Sequence, residues 1–330
     1  MQNSKKKIFV TGGAGYVGAV LVPKLLSNGY KVTVFDLLIF GQNVLKPHPD
    51  LTIIKGDIRN TKFLSECLKE HEIFIHLACI SNDPSFELNP KLSKSINLDS
   101  FEPMINVCKS KQVKLFVFAS TSSVYGLKKE KDIHEEIQLE PLTDYSKYKA
   151  DCEKILFEYQ SNDFTTVTIR PATVCGYSLR QRMDVVVNIL TNQAFHKREI
   201  SVLGGNQLRP NIHINDMANV YLTLLKSPIN KIAGEIFNVG YQNLTVKKIA
   251  DLVQKIIGKD VKLKIKETND NRSYHISLKK IEKVLGYKPN NTIEDAIRDL
   301  KKALENGLLP NSLSDDKYFN LKRLENLNLQ

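Results

Sequence analysis

Tyr145 and Lys149 stand four residues apart in the stretch Thr143–Ala150, just after a proline-containing loop. In a helix, positions i and i+4 share one face, so a phenol and an ammonium at this spacing meet at one site. A phenol ordinarily titrates near pH 10 and works as a base at neutral pH only beside positive charge. A lysine one turn away supplies that charge. The same spacing arises by chance in lysine-rich surface helices, so the surrounding pattern has to decide.

The run Thr11–Gly18, TGGAGYVG, holds the strongest local pattern. Its G-x-x-G-x-x-G spacing falls between an apolar strand, KIFV, and a helical stretch that begins near Tyr16. Glycines there let the backbone approach a pyrophosphate seated on the amides and dipole of a helix N-terminus. Gly12, Gly15, Tyr16, Val17 and Gly18 are therefore candidate cofactor contacts. The next strand, KVTVFD, ends at Asp36, where a carboxylate accepts from ribose hydroxyls and repels a 2′-phosphate, favouring NAD over NADP. Asp57, closing the third strand, has two readings: acceptor for the adenine amino group, or cap of the following helix.

The elements that must position these residues alternate. KIFVTG, KVTVFD, LTIIKGD, EIFIHLA, KLFVFAS and TTVTIRP read as buried strands. Helical patterns lie between them at 16–28, closed by Gly29, and at about 61–70, 90–110 and 145–160. Strict alternation predicts an α/β fold: a Rossmann-type, doubly wound parallel sheet with helices on both faces. After Pro171 come helical patterns near 184–196, 245–257, 277–285 and 292–306, with a strand-into-helix segment IHINDMANVYLTLL and strands EIFNVG and VKLKIKE. The expected organisation is a nucleotide-binding domain over 1–171 plus roughly 212–240, and a smaller α/β substrate domain over 172–211 and 241–330. The polar stretch from about Pro310 reads as loosely attached.

Composition excludes several classes. Of 330 residues, 42% are hydrophobic and 25% charged, the balance of a soluble globular protein. No apolar run approaches the length that spans a bilayer, and Ile8–Val10 is too short for an export signal. Five scattered cysteines (Cys67, Cys79, Cys108, Cys152 and Cys175) without a CxxC argue against a disulfide framework or a zinc site and fit a reducing cytosol. No metal-ligand spacing is present. The net charge of +11 comes from lysines spread along the chain, which fits solvated helix faces or an anionic small substrate better than a nucleic-acid footprint.

Taken in order, TGGAGYVG, the strand end at Asp36, GDIR, HLA at 76–78, Asn97, STSSVYG at 120–126, YSKYK at 145–149, GGNQLRPNIHINDMA and RSYHIS resemble the extended short-chain dehydrogenase/reductase family, in particular its nucleotide-sugar epimerases and dehydratases. The resemblance covers essentially the whole chain. It implies that NAD is the cofactor, that Tyr145 is the acid–base group, that Lys149 lowers its pKa and holds the nicotinamide ribose, and that Thr121 shares the proton path. It adds Ile58, Leu77, Ala78 and Asn97 to the cofactor contacts. It makes Arg209 the grip on a nucleotide-sugar diphosphate, with Arg272 and Tyr274 a second such contact, and places Asp83, Ser122 and Thr173 at the substrate. His213, within an IHI strand, reads as structural.

The reaction implied is hydride transfer from a sugar carbon, usually carbon 4, while Tyr145 takes the hydroxyl proton. Dehydratases of the family carry carboxylates just after the threonine; here Ser122 and Ser123 stand there, and neither titrates usefully near pH 7. The expected cycle is therefore epimerisation, with a carbon-4 dehydrogenase or ketoreductase, or a non-catalytic NAD-binding scaffold, as alternatives. Thr173 departs from the pattern of UDP-hexose 4-epimerases, which carry Asn there, and TVCGYSLRQRMDVVVN resembles a branch with nucleotide-heptose dehydrogenases. Asp83 and Glu87, in the loop 80–90, are expected near the sugar, as a further acid or base or as turn caps and hydroxyl ligands. The resemblance further implies a cytoplasmic homodimer serving polysaccharide biosynthesis. It would pair through the helices at 90–110 and 145–160, burying Ile155 and Leu156, and act with neither nucleic acid nor membrane.

Overall fold

The computed structural model describes residues 5–128, 130, 132–268 and 275–327. In chain order the first half runs β1 (Lys7–Thr11), α1 (Gly18–Ser27), β2 (Lys31–Asp36), β3 (Leu51–Lys55), α2 (Thr61–Cys67), β4 (Ile73–His76), α3 (Asp83–Leu88), α4 (Pro90–Lys94), α5 (Phe101–Ser110), β5 (Leu115–Ala119), α6 (Asp144–Glu158) and β6 (Thr165–Pro171). The second runs β7 (Thr173–Cys175), α7 (Val186–Lys197), β8 (Glu199–Leu203), β9 (Leu208–His213), α8 (Ile214–Lys226), β10 (Glu235–Val239), β11 (Gln242–Thr245), α9 (Val246–Ile257), β12 (Lys262–Lys266), α10 (Lys279–Leu285), α11 (Ile293–Glu305) and α12 (Asn320–Leu327).

The expected doubly wound sheet is present. Seven parallel strands lie in the order β10-β6-β5-β4-β1-β2-β3. Alternation along each strand sorts its side chains by face. Phe9, Phe35, Phe74, Phe116 and Phe118 share one face with Leu64 of α2, Met104 and Ile105 of α5, and Leu156 of α6. Phe9 stacks on Phe74 at 5.4 Å and Phe74 on Phe116 at 5.1 Å, an aromatic row crossing the strands. Ile8, Val10, Val34, Ile75 and Val117 face the other way, against Leu21 and Leu25 of α1 and Val220 and Leu224 of α8.

Strand order reverses between β1 and β4, and the crevice at such a switch point is where open α/β sheets bind ligands. Both strands end there: Thr11 accepts from the Leu77 amide, and its hydroxyl lies 2.7 Å from His76 Nδ1. Beyond the large sheet, β11-β9-β7 and β12-β8 form two small sheets, and α7, α9 and α11 pack together around Val187, Ile249, Val253 and Ile297.

Several sequence expectations need correction. The helical pattern at 90–110 is α4 and α5 separated by a π turn, Ser95–Asp99, with the Ser100 hydroxyl bonding back to the Ile96 carbonyl. Strands β7, β8 and β11 are not among the expected strands: β7 and β11 span only three and four residues, whereas β8 alternates buried and half-buried positions and went unread. The described part of the stretch after Pro310, residues 311–327, is not loosely attached. Leu309 and Tyr318 are buried with Met183, Leu300 and Leu304, and α12 returns across the molecule to the switch-point crevice. Leu156 is only 1% exposed, locked in its own core, so it is not available to a partner subunit. No helix among the described residues is long and apolar enough to cross a membrane.

Candidate active site

One cavity of about 920 Å³ runs from the glycine loop, past Tyr145 and Lys149, to Arg209. At its floor, Gly12 has φ +72°, and a Cβ there would lie 2.5 Å from the Ala78 amide nitrogen. A Cβ on Gly18 would lie 2.4 Å from the Gly13 carbonyl oxygen. Neither position admits a side chain, because the loop folds against Ala78 and onto the first turn of α1. Gly15, Val17, Ile58, Leu77 and Ala78 all line the cavity. Tyr16 does too, but its hydroxyl is engaged elsewhere, donating to the Gly176 carbonyl at 2.7 Å and accepting from Asn188 at 2.9 Å.

Asp36, at the end of β2, accepts from the amides of Ala14 (3.0 Å) and Leu38 (2.8 Å). Burial raises its pKa, while those two amides and the nearby Arg180 oppose the rise. Asp57 lines the cavity and is gripped by the Arg59 guanidinium, with Nη2 at 2.6 Å; the cap of α2 is Asn60, whose side chain accepts from Phe63. The capping reading of Asp57 is therefore set aside. Asn97 is not where the sequence reading put it: its amide accepts from the Ile80 nitrogen (2.9 Å) and donates to the Ile80 carbonyl (2.8 Å). It braces the cavity wall from behind, because the π turn directs it under the loop after β4.

Thr143 opens α6 with a capping box, its side chain accepting from Ser146 while Ser146 reaches back to the Thr143 amide. Tyr145 is thereby fixed in the first turn, where the helix dipole favours a phenolate. Lys149, one turn on and 4% exposed, donates to the Ala119 carbonyl at 2.7 Å and lies 4.8 Å over the Phe118 ring. Thr121 follows the end of β5, accepts from the Ser123 amide at 3.2 Å, and lines the same cavity as Tyr145. Burial pushes the Tyr145 phenol well above its ordinary pKa, with Cys79 and Asp83 acting the same way; Arg182 and Thr121 pull it down.

On the substrate side, Ser122 is buried and lines the cavity, as do Thr173 on β7 and Arg209 on β9. Arg209 Nη1 donates to the Leu208 carbonyl at 3.2 Å. Asp83, at the start of α3, lines the cavity and accepts from the Thr143 hydroxyl at 2.6 Å. Glu87 is exposed on α3 and does not line the cavity; the helix turns it outward, contrary to expectation. Arg272 and Tyr274 lie outside the described residues. His213 is buried and caps α8, accepting from the Asn215 amide at 3.1 Å, in keeping with a structural role.

The model matching residues 8–240 is that of the NAD dependent epimerase/dehydratase family, well over half of the chain. The chain belongs to that family. Family membership makes NAD the cofactor, and the glycine loop, Asp36 and the cavity beside Tyr145 have the shape and donors to hold it. The uncharacterized UDP-glucose epimerase YtcB of Bacillus subtilis is 29% identical over 309 residues, covering 88% of this chain and 95% of that one. The UDP-glucose 4-epimerase of Lactobacillus helveticus is 26% identical over 316 residues, covering 88% and 94%. Among solved structures, the UDP-glucuronic acid 4-epimerase of Bacillus cereus, in complex with UDP-glucuronic acid and NAD, superposes with a TM-score of 0.83 at 26% identity, covering 91% of this chain and 99% of that one.

Sequence reading missed Arg180, Arg182, Asp184 and Asn320 of this family member, all of which line the cavity. Arg182 pairs with Asp184, and Asp184 also accepts from the Asn320 amide at 2.9 Å. The only signal was two arginines in the non-helical run LRQRMD. Nothing local distinguishes such residues from a solvated loop. Behind the site, Glu153 of α6 accepts a forked pair of bonds from Arg170 of β6, with Nη2 at 2.7 Å, and a bond from the Ser120 hydroxyl. Arg170 donates to the Tyr125 hydroxyl at 2.8 Å, which in turn donates to Asn238 at 2.7 Å.

Proposed function

We propose that this protein is an NAD-dependent nucleotide-sugar epimerase that inverts carbon 4 of a UDP-hexose or UDP-hexuronate. The observation that carries the reading is the placement of Thr121, Tyr145 and Lys149 around one end of the cavity, with Ser122 and Ser123 where a water-eliminating enzyme needs carboxylates. NAD, when bound, would supply the hydride-transfer chemistry at carbon 4. Tyr145 takes the hydroxyl proton from carbon 4 and later gives it back, with Thr121 bridging phenol and sugar. Lys149 holds the nicotinamide ribose, and Arg182 adds positive charge near the phenol. Arg209 grips the substrate diphosphate through a planar fork suited to phosphate, and Ser122, Thr173 and Asp83 meet the sugar.

Incubating the purified protein with UDP-, GDP-, dTDP- and CDP-sugars and resolving products by chromatography and mass spectrometry tests this reading. A product of unchanged mass, formed without net reduction of added NAD, is expected from a UDP-sugar. Loss of two hydrogens with stoichiometric reduction of NAD would make the protein a dehydrogenase. Loss of water would overturn the argument from Ser122 and Ser123.

Asp36 sets cofactor choice in this reading. Asp36→Ser removes the acceptor for the ribose hydroxyls, a charge-assisted bond worth about 1.5–3 kcal/mol, so NAD binding should weaken roughly 10–100-fold. The same change lifts the repulsion of a 2′-phosphate, and NADP affinity should rise. Unchanged discrimination between NAD and NADP, measured by titration calorimetry, would sink the assignment.

The division into a dinucleotide domain and a substrate domain is supported by β10 joining the large sheet while β7, β8, β9, β11 and β12 form the small ones. All five cysteines are free thiols, which suits a reducing cytosol. A homodimer through α5 and α6 completes the reading, with half-buried Ile155 at its centre and Phe157, 65% exposed, at its edge. Light scattering at micromolar concentration should give twice the chain mass, and a monomer would refute it.

A further inference from the structure

Arg180 lines the cavity, yet no role in the reaction above uses it. It is 4% exposed, and its Nε is buried with no hydrogen-bond partner. Nη2 donates to the Asn320 side-chain oxygen at 2.5 Å, and the guanidinium lies 3.5 Å from the Phe40 ring centroid. No carboxylate among the described residues lies within ion-pair distance of it. Of the two carboxylates whose charge reaches it, Asp184 is taken by Arg182, and Asp36 accepts from the amides of Ala14 and Leu38. A cation so far from water, with a like-charged neighbour and no counter-ion, is a costly arrangement unless a ligand completes it. Consistent with that, burial and Arg182 depress its pKa to about 9.

The surroundings say which anion belongs there. The segment carrying Arg180 is tied to the glycine loop at Tyr16: the Ser178 hydroxyl donates to the Tyr16 carbonyl at 2.9 Å, and the Tyr16 hydroxyl donates to the Gly176 carbonyl at 2.7 Å. Tyr16 leads directly into the first turn of α1, and Gly15, Tyr16, Val17 and Gly18 all face the same cavity. Arg180 also lies within electrostatic reach of Tyr16 and Asp36, the two ends of the cofactor's adenosine diphosphate half in the reading above. We propose that Arg180 clamps the diphosphate of the bound dinucleotide against the N-terminus of α1, and that Asn320 of the C-terminal helix is the positioning residue that holds the guanidinium there. The segment joining Asn320 to the core is anchored as well: Arg323 of the same helix donates to the Ile39 carbonyl at 2.7 Å, and the Asn320 amide group donates to the Ser81 hydroxyl at 2.8 Å. The last helix thus closes the cofactor end of the cavity. This inference depends on the dinucleotide and not on which sugar is turned over, so it stands or falls apart from the proposed reaction.

The test uses full-length protein stripped of nucleotide and titration calorimetry with four probes: NAD, ADP, adenosine and UDP. Arg180→Gln should weaken NAD and ADP roughly 10–100-fold, the range for a lost charge-assisted hydrogen bond, and leave adenosine unchanged. Removing an unpaired buried cation should not lower the melting temperature of the stripped protein, whereas the rise on adding saturating NAD should shrink. Arg180→Lys, which keeps the charge without the fork, should recover part of the ADP affinity, and Asn320→Ala should lose part of it. Equal weakening of ADP and adenosine would show a merely structural role and overturn the proposal. So would unchanged NAD and ADP affinity with a loss of UDP binding, which would give Arg180 to the substrate. If Arg180→Gln does not fold, the ADP-to-adenosine comparison in Arg180→Lys and Asn320→Ala decides in the same way.

Discussion

Tyr145→Phe should lower kcat for the interconversion by about 10²–10⁴-fold, the range of a lost general acid–base group, while bound NAD and substrate affinity stay close to the parent values. The substitution removes one oxygen, leaving the ring that packs 6.5 Å from Phe86 and the capped helix that carries it. The pH profile sharpens the prediction. The phenol must lose its proton to act as a base, and burial holds its pKa above the ordinary value. Arg182 and Thr121 are the groups that pull it down. Removing either, by Arg182→Gln or Thr121→Ala, should raise the pKa and shift the acid limb of the kcat/KM profile to higher pH. An unshifted limb in both variants, or a Tyr145→Phe enzyme with near-parental kcat, would remove Tyr145 from the proton path.

The largest effect on stability is expected at Glu153. Its carboxylate is 5% exposed, receives the Arg170 fork, and accepts from Ser120 next to Thr121. Glu153→Leu leaves the Arg170 guanidinium buried without its counter-ion, a change that costs about 3–5 kcal/mol when one partner of a buried pair is removed. The double variant Glu153→Leu, Arg170→Met replaces both charges by apolar groups of similar size and should recover most of that loss. Urea unfolding reads both, as a change of midpoint at constant slope. A single-variant loss within about 1 kcal/mol, the range of exposed pairs, would mean that the pair is not functionally buried. The same network holds the end of β5 against α6, so activity of a folded Glu153→Gln should fall with the Thr121–Tyr145 alignment.

Much of the architecture was legible along the chain because its causes are local. Apolar runs with turn residues between them dictate buried strands, and the doubly wound sheet follows from their alternation with helices. The glycines of the Thr11–Gly18 loop were readable because each answers a steric need within a few residues, as the contacts of Gly12 and Gly18 show. Tyr145 and Lys149 were readable because helical spacing alone puts them on one face, and Thr143 and Ser146 cap that helix within its first turn.

What stayed hidden depends on contacts between distant parts of the chain. Asn97 lies in the right region by sequence, yet a π turn between α4 and α5 sets it against Ile80 and away from the cavity. Leu156 and Phe157 are neighbours in one helix, and only the packing of α6 on the aromatic face of the sheet decides that the first is core and the second is surface. Arg180 and Asn320, 140 residues apart, meet at the cavity because Leu309 and Tyr318 bury in a pocket with Met183 and lead α12 back to the switch point. The amino-acid sequence by itself determined the sheet, the dinucleotide loop and the tyrosine–lysine pair, since periodicity, sterics and capping act within a few residues. Only the tertiary structure decided which arginines lost their solvent and what the chain end covers, since burial and unpaired charge exist only once remote segments have packed.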